Sequence, residues 1–251
     1  MTDERRKFRR EGEAQRQGDL IAAALDLMAD GGPQAATVRA IAERAGVTPG
    51  LIRHYFRTKE DLLGAAYSSF VAQMTERQLA AIEDAGPDPR ARLARFVARA
   101  LCPPQTDGRM LGVWAGFLHL VQREPQLRAV HRAGYYAFRD ALETLIGAAL
   151  AAEGRVLPAA TLRAEAIACT ALIDGLWLEG SVLPEDFPDL ALPRLGLAKI
   201  GRLLGLAPFD DGESPLHFAD EKPASSVDPE PAAASKAKPT PKRNPARKKK
   251  K

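Results

Sequence analysis

The sequence contains few cysteines, few aromatic residues and no long apolar run. Of its 251 residues only Cys102 and Cys169 are cysteines, and aromatic side chains make up 6%. Two thiols are too few for a disulfide scaffold or a cysteine zinc site, and they suit a reducing compartment. No apolar stretch approaches the roughly 20 residues that cross a bilayer, and no apolar segment follows the charged N-terminus as it would in a signal peptide. The sequence therefore predicts a cytoplasmic protein with no membrane partner.

The chain also lacks the residue groupings that catalysis and metal binding require. It has no Ser-His-Asp spacing, no glycine-rich phosphate loop and no pair of carboxylates in a polar setting. His119 and His131 fall on different predicted helices, without a third ligand at metal spacing. Cys169 lies in an apolar helical stretch, which is typical of a packed thiol and leaves redox sensing as an alternative. We expect no enzyme, no cofactor and no metal site, and only measured turnover would revive an enzymatic interpretation.

Charge is distributed unevenly along the chain. Residues 1–66 carry 11 basic and 10 acidic side chains, residues 67–221 carry 15 and 20, and residues 222–251 carry 10 and 2. The net charge of +4 therefore combines a tail of +8 with a body of −4. Lysines spaced by proline and alanine stay extended and bind polyanions without sequence preference. We expect weak binding of the tail to nucleic-acid backbone, with a merely solvated tail as the alternative, while any binding by the body must depend on a local patch.

Hydrophobic spacing predicts a chain made of helices. From Leu20 onward apolar residues recur with a period near 3.6, and no segment alternates as a strand would. Gly31-Gly32-Pro33 ends the first helix, and the N-caps of the next three are Thr37, Thr48 and Thr58. The remaining helices are predicted at about 89–101, 110–123, 125–152, 158–183 and 190–206. The prediction is an all-α fold of nine helices in two domains, 17–66 and 67–208, with a basic N-terminal arm (1–16) and a disordered tail (209–251) rich in proline, alanine and lysine.

One segment has the pattern of a helix-turn-helix. Residues 37–63 read TVRAIAERAGVTPGLIRHYFRTKEDLL, which predicts a short helix, a tight turn at Gly46 and a second short helix. Ile52 and Phe56 anchor the second helix at i, i+4 spacing. The residues left on its outer side are Pro49, Gly50, Arg53, His54 and Tyr55. A helix of this kind fits a DNA major groove about 12 Å wide; the alternative is a packed three-helix unit with no role at DNA.

The run AGVTPGLIRHYFRTKEDLL resembles the N-terminal signature of the TetR family of bacterial transcriptional regulators. The resemblance spans residues 17–66 and implies that family's nine-helix fold and binding to double-stranded DNA as a homodimer on a pseudo-palindromic operator. Carried over by position, the phosphate- or base-contacting residues are Thr37, Thr48, Arg53, His54, Tyr55 and Lys59, and the direct readers are Pro49 and Gly50. Pro49 replaces a polar or basic reader and Leu51 a small residue, so base reading is expected to depend on Arg53 and on apolar contact with thymine methyl groups.

Two stretches of the C-terminal half, GVWAGFLHLVQREP (112–125) and TALIDGLWLEGSV (170–182), resemble the TetR subgroup that regulates choline-to-glycine-betaine metabolism. The resemblance implies an effector site in this half and a homodimer in which the last two helices form a four-helix bundle. The residues are consistent with such packing, because small and apolar side chains share one helix face. That face comprises Ile167, Thr170, Ala171, Asp174, Leu178 and Ser181.

Four residues of these stretches are candidates for holding an effector. Trp114 with Phe117, and Asp174 with Trp177, lie three residues apart, so each pair shares a helix face. A carboxylate beside aromatic rings suits a quaternary amine such as choline, which binds through cation–π contact and a counter-charge. The alternative is that the tryptophans are core and Asp174 belongs to the dimer seam. An aldehyde, a polyamine or an apolar compound is left open as the effector.

Together these features predict a homodimeric, nucleoid-associated repressor whose operator binding is modulated by a small molecule. The effector must bind two states of the protein with different affinity. The alternative is an architectural or interaction protein in which the basic tail dominates DNA binding and no effector exists. The salt dependence of DNA binding, measured with and without the tail, would distinguish the two.

Overall fold

The computed structural model describes residues 2–209, with side chains from Gly12 onward. Within this range there are nine α-helices, one short 3-10 helix and no strand, which confirms the predicted all-α fold. The helices are α1 (Thr2–Ala35), α2 (Val38–Arg44), α3 (Pro49–Tyr55), α4 (Lys59–Glu83), α5 (Pro89–Ala100), α6 (Gly108–Val121), α7 (Pro125–Ala152), α8 (Ala159–Val182) and α9 (Ala191–Leu204), with the 3-10 helix at Pro184–Asp186. None of these helices is long and apolar enough to cross a membrane.

Helix α1 is longer than predicted at its start and ends where the glycines indicate. It begins at Thr2, so the backbone of the predicted N-terminal arm is helical. The helical dihedral angles break at Gly31 and Gly32, and Gly32 has φ 66° and ψ −162°, a conformation that is essentially restricted to glycine. The predicted tail lies, apart from Phe209, outside the described residues.

The predicted N-caps stand at the starts of the next three helices. The hydroxyl of Thr37 accepts the N–H of Ala40 at 3.1 Å. Thr58 and Asp61 form a reciprocal capping box at the start of α4, which satisfies two backbone N–H groups that the helix cannot. Thr48 occupies the N-cap position of α3 but makes no side-chain capping bond. Local sequence therefore determines where each of these helices begins.

Two clusters of buried apolar side chains hold the helices together. The N-terminal cluster joins α1–α4 and includes Phe117 and Val121 of α6 and Leu127 of α7. The second cluster joins α5, α7, α8 and α9 with the end of α4. Burial of a large apolar side chain such as Phe117 contributes roughly 1.5–3 kcal/mol. Helix α6 is therefore attached to the core of the first four helices, although it follows them by a long interval in the sequence.

Candidate nucleic-acid interface and ligand cavity

Helices α2 and α3 form a helix-turn-helix. The turn between them contains Gly46, whose φ of 64° favours glycine, and the N–H of Val47 donates to the carbonyl of Ala42 at 2.9 Å. Ile41 of α2 and Ile52 of α3 are buried in the N-terminal cluster. One face of α3 is thereby anchored and the opposite face is exposed.

The outward face of α3 carries the predicted base-reading residues. Its exposed members are Pro49, Gly50, Arg53 and His54. Tyr55 is half-buried, and its ring lies edge-on to that of His54 with 5.2 Å between centroids. A Cβ on Gly50 would meet only the hydroxyl oxygen of Thr48, at 3.9 Å. Packing within this chain therefore does not require glycine at position 50.

The predicted phosphate-contacting residues flank α3. Thr37 and Thr48 are exposed at the starts of α2 and α3. Lys59 is half-buried at the start of α4, where its Nζ donates to the carbonyl of Pro33 at 3.4 Å. An ammonium group has three donors, so this one acceptor does not exhaust it. The structure adds Arg57, whose side chain is 90% exposed and which sequence reasoning passed over although it is a cation within the same motif.

An ion-pair cluster connects the helix-turn-helix to α6. Arg44 of α2 contacts Asp26 and Asp30 of α1 at 3.6 and 3.1 Å, and Arg109 of α6 contacts the same two carboxylates at 2.7 and 3.2 Å. All four side chains are partly exposed, so each pair contributes at most about 1 kcal/mol to stability. The cluster nevertheless ties three helices to one another at a single point.

A cavity of about 540 Å³ lies among α4, α6, α7 and α8. Its volume falls within the range of roughly 300–1,000 Å³ that is common for small-molecule sites. Aromatic rings form much of its wall: Tyr67, Phe70, Phe96, Trp114, Tyr135, Phe138 and Trp177. Three of the four predicted effector residues, Trp114, Asp174 and Trp177, are on this wall.

The fourth predicted effector residue, Phe117, lies behind the wall rather than on it. Phe117 is fully buried, and its ring centroid is 4.7 Å from that of Tyr67, which lines the cavity. Because α6 enters the N-terminal core at this turn, Phe117 supports Tyr67 instead of facing the ligand space. Trp114 stays on the cavity side and meets Trp177 edge to face, with 5.4 Å between centroids.

Asp174 faces the cavity and has partners within the chain. Its carboxylate accepts a short hydrogen bond from the hydroxyl of Tyr135, and the guanidinium of Arg139 lies over the Tyr135 ring, 5.4 Å from its centroid. Burial raises the pKa of Asp174, while the Tyr135 hydrogen bond and the charges of Arg139 and His131 oppose that rise. Asp174 is the one carboxylate on the wall of this cavity as the described residues form it. A carboxylate beside ring faces can hold a cation.

Tyr67, His131 and Tyr135 form a row of rings on the same wall. The hydroxyl of Tyr67 and Nδ1 of His131 share a hydrogen bond of 2.6 Å, and the ring of His131 stacks on that of Tyr135 at 5.7 Å. Burial raises the pKa of Tyr67 to about 12 and lowers that of His131, the latter against the charge of Asp174. Burial thereby favours the neutral forms of Tyr67 and His131, and Asp174 is the carboxyl group of this wall.

Two buried amide oxygens on the wall have no hydrogen-bond partner among the described residues. Gln78 is 6% exposed and Gln105 is 2% exposed, and the Oε1 atom of each is unpaired. Both residues line the cavity. A buried acceptor without a donor costs about 1–3 kcal/mol, so these two atoms favour a bound molecule that brings a donor or a positive charge.

Sequence reasoning missed Tyr67 and Gln78 of α4 and His131 of α7 as residues of the cavity. Tyr67 and His131 are 64 positions apart and meet because α4 and α7 lie side by side. Gln78 was indistinguishable from a solvent-facing glutamine, since helical periodicity near the end of α4 does not show which neighbour will cover it. Only a tertiary arrangement brings these side chains together.

The described residues contain no cluster of His, Cys, Asp or Glu arranged to hold a metal ion. Cys102 and Cys169 are buried free thiols. Burial raises the pKa of Cys102 to about 11 and that of Cys169 to about 12. Because only the thiolate is a nucleophile, both are unreactive at neutral pH.

Comparison with known families gives two separate matches along the chain. Residues 20–66, which contain the helix-turn-helix, match the family described as bacterial regulatory proteins, tetR family. Residues 89–205, which contain α5–α9, match the C-terminal domain of BetI-type transcriptional repressors. Both matches fall on the parts of the chain in which the sequence resemblances were found.

Individual relatives agree with both assignments. The HTH-type transcriptional regulator BetI of Stenotrophomonas maltophilia is 32% identical over 172 residues, which are 68% of this chain and 84% of that protein. The regulator of the same name from Burkholderia mallei is 32% identical over 192 residues, 75% of this chain and 93% of its own length.

Solved structures share the fold. A transcriptional regulator from Pseudomonas aeruginosa PAO1 superposes with a TM-score of 0.68 at 29% identity, covering 77% of this chain and 90% of that one. A regulator from Saccharomonospora viridis, solved in complex with choline, superposes with a TM-score of 0.62 at 20% identity, covering 76% and 96%. The chain belongs to the TetR family of bacterial transcriptional regulators and carries a C-terminal domain of the BetI repressor type.

Proposed function

We propose that this repressor binds a pseudo-palindromic operator as a homodimer and that a quaternary amine, of which choline is the simplest test, modulates that binding from the cavity. The observation that carries the proposal is the placement of Asp174 among aromatic rings on the cavity wall. Some residues of that wall also belong to the N-terminal cluster, which anchors the helix-turn-helix. A trimethylammonium group cannot donate a conventional hydrogen bond, so ring faces and a carboxylate are the groups that recognise it. The Saccharomonospora viridis regulator of the same fold was solved with choline.

At the DNA, the exposed face of α3 would enter the major groove. Arg53 is the residue best suited to a bidentate contact with guanine, while Thr37, Thr48, Tyr55 and Lys59 would position the helix through phosphates. Exposure on α3 and at the helix starts beside it supports these roles for Arg53, Thr37 and Thr48, whereas Tyr55 and Lys59 are half-buried. His54, Pro49 and Gly50 complete the surface.

The dimer would form through α8 and α9. Both helices expose apolar side chains that a monomer would leave in water: Ile167, Leu178, Val182, Leu195 and Leu203 are 36–55% exposed. Exposed apolar side chains on these two helices support a protein interface there. Thr170 and Ser181 of the predicted face are buried within the chain instead, so the larger side chains beside them supply the contact.

Coupling between the two sites would pass through shared side chains. Tyr67 lines the cavity and belongs to the N-terminal cluster, and Trp114 lines the cavity while packing against the same cluster. A ligand that prefers one arrangement of these two rings therefore biases the spacing of the recognition helices. Typical coupling free energies of about 1–3 kcal/mol correspond to a 5- to 150-fold change in operator affinity.

The test is a mobility shift on the DNA upstream of the protein's own gene, with and without choline. The proposal expects a saturable change in operator affinity, of either sign, that Trp177→Ala abolishes without weakening ligand-free binding. A series of other quaternary amines serves as a panel for head-group size. Operator binding that no amine alters would contradict the effector assignment, and a footprint without two-fold symmetry would contradict the dimer.

The dimer surface has a separate test. Ile167→Glu places a charge on the exposed face of α8 and should shift the sedimentation of the protein toward monomer. Val156, which is 88% exposed in the loop before α8, offers the matched control, because Val156→Glu adds the same charge outside that face. Equal behaviour of the two variants would show that α8 is not the interface.

We also propose that residues 222–251 strengthen DNA binding without directing it. Their net charge of +8 suits contact with phosphates, and phosphate contacts carry no sequence information directly. Removal of the segment should lower affinity for operator and random DNA alike and flatten the salt dependence. Loss of the preference for the operator would instead favour a protein whose tail dominates recognition.

A further inference from the structure

We propose that the effector of this cavity is an elongated amphiphilic cation rather than a compact amine. Its cationic head lies at Asp174, and its far end presents a hydrogen-bond donor to Gln78. Between them an apolar chain of about eight carbon atoms follows α4 and α7. That length comes from the distance along α4 between the two ends, at the rise per residue of a helix. The inference rests on the proposed cation site and specifies what fills the remainder of the space.

The volume of the cavity exceeds what a compact amine occupies. A cavity of about 540 Å³ has the size of sites that hold drug-sized ligands. Choline is only a few carbon atoms long and would leave most of that space to water against apolar walls. A ligand that covers those walls gains the free energy of burying them.

Three contacts show that α4 and α7 run side by side in the same direction. A Cβ on Gly64 would lie 4.0 Å from Leu127, Tyr67 bonds to His131 at 2.6 Å, and a Cβ on Gly134 would lie 2.5 Å from Val71. Over residues 64–71, α4 thus lies beside the residues of α7 that are 63 or 64 positions later. Continued along both helices, this register puts Gln78 at the level of Ala141, and both residues line the cavity.

The register gives the distance from the cationic end to the far end. Tyr135, which bonds Asp174, is next to Gly134 and so lies at the level of Val71. Seven residues of α4 separate Val71 from Gln78, a rise of about 10 Å at 1.5 Å per residue and close to the length of an extended chain of about eight carbon atoms. Apolar side chains occupy the wall between these levels, among them Met74 and Phe138.

The polar groups of the wall determine the two ends of the ligand. Asp174 is the carboxylate of this wall, so the site neutralises one positive charge. The Oε1 atom of Gln78 is buried and unpaired at the other end. A second ammonium there, as in a polyamine, would lack a counter-charge, whereas a hydroxyl or an amide N–H would satisfy the acceptor at no electrostatic cost.

Calorimetric titration of the full chain with four cationic probes and one uncharged control tests the proposal. The cations are tetramethylammonium, choline, octyltrimethylammonium and 8-hydroxyoctyltrimethylammonium, all below the concentrations at which they form micelles, and the control is 1-octanol. Burial of the chain should make octyltrimethylammonium bind at least about 100-fold more tightly than tetramethylammonium. In Gln78→Leu the hydroxyl-terminated probe should lose about tenfold in affinity while the octyl probe does not. Gln73, exposed on the same helix and bonded to Ser69, gives the control Gln73→Leu, which should alter neither.

The outcomes separate this inference from the function on which it rests. If tetramethylammonium and choline bind as tightly as the two octyl probes, the elongated effector is wrong and the compact cation site stands. If Gln78→Leu weakens the octyl and hydroxyoctyl probes alike or neither of them, the contact at the far end is wrong. If no probe binds, or 1-octanol binds as tightly as octyltrimethylammonium, the cation site itself is wrong.

Discussion

Gly112 of α6 lies so close to α1 that a Cβ on it would fall 2.8 Å from the carbonyl oxygen of Ala29. Gly116 repeats the approach one turn later, where a Cβ would lie 2.9 Å from Cε of Met28. Trp114, between the two glycines in sequence, lines the cavity. Helix α6 thus has one side against α1 and another against the cavity.

Replacement of Gly112 tests how tightly these helices are packed. In Gly112→Ala the new methyl group meets a backbone oxygen that cannot move by itself, so the free energy of unfolding should fall by about 1–3 kcal/mol. Gly18 of α1 is the control, because a Cβ there would have no atom within 4 Å and alanine is the better helix former by up to about 1 kcal/mol. Urea denaturation measures both, and an equal change in the two variants would contradict close packing at Gly112.

Local sequence signals were enough to predict where helices begin and end, but not which helices contact one another. The caps at Thr37 and Thr58 and the proline at the start of α7 mark helix starts that the structure confirms. The extension of α1 to Thr2 was not predicted, since the charged residues before Leu20 have no apolar periodicity. The attachment of α6 to the N-terminal core depends on Phe117 meeting Tyr67, a contact between distant residues that periodicity cannot show.

Asp174→Asn should weaken cation binding and stabilise the protein without ligand. The raised pKa of Asp174 means that burial disfavours its charged form, and asparagine removes that charge while it can still accept the Tyr135 hydroxyl. Thermal unfolding without ligand should therefore show a higher Tm than wild type, and calorimetry should show a higher Kd for tetramethylammonium. If Asp174 instead belonged to the dimer seam, the same variant would change the monomer–dimer balance in sedimentation and leave amine binding intact.

Cation binding should decline as the pH falls through the pKa of Asp174. A quaternary ammonium has no titrating proton, so the change reports the protein. Protonation of Asp174, whose pKa lies above its usual range, removes the counter-charge, and His131, whose pKa lies below its usual range, adds repulsion of the same sign at lower pH. Tyr67 and Tyr135, with pKa values of about 12, stay protonated throughout.

The loss should approach about tenfold in Kd per pH unit for one proton. Titration of tetramethylammonium between pH 4.5 and 8 measures the effect, and Asp174→Asn should flatten most of it. Affinity that increases on acidification would show that Asp174 does not hold the cation.

Gly50→Ala should separate folding from DNA recognition. A Cβ at this position meets only the hydroxyl oxygen of Thr48, at 3.9 Å, and alanine favours a helix, so stability should hold or rise by up to about 1 kcal/mol. Operator affinity should fall at least about tenfold, the scale of one base contact, because the methyl group stands between α3 and the groove. Gly18→Ala should leave operator affinity unchanged, and a Gly50→Ala protein that binds DNA normally would remove Gly50 from the interface.

The candidate DNA surface could be predicted from the sequence because its residues lie close together along the chain. Residues 37–63 form the helix-turn-helix from their own caps, turn and anchors, and the exposed positions of α3 follow from those anchors. The cavity could be predicted from the sequence only in part. Trp114, Asp174 and Trp177 stood out by residue type, whereas the walls from α4 and α7 depend on a parallel pairing of helices that no local pattern encodes.

Arg109 is positioned to transmit the state of α6 to the helix-turn-helix. It lies in the first turn of α6 and shares Asp26 and Asp30 of α1 with Arg44 of α2. Because these side chains are partly exposed, Arg109→Gln should change the free energy of unfolding by less than about 1 kcal/mol. Choline affinity and ligand-free operator affinity should each stay within about threefold of wild type. A threefold change in affinity corresponds to about 0.65 kcal/mol.

The quantity that Arg109→Gln should reduce is the factor by which choline alters operator affinity. Fluorescence anisotropy measures operator Kd with and without choline, and choline Kd with and without operator gives the same factor by a second route, because coupling is reciprocal. Arg123 is exposed beyond the other end of α6, so Arg123→Gln removes one positive charge without touching Asp26 or Asp30 and should leave the factor intact. Undiminished coupling in Arg109→Gln would exclude the ion-pair cluster from communication between the sites. A large loss of ligand-free operator binding would instead show that the cluster serves to hold the DNA-binding helices in place.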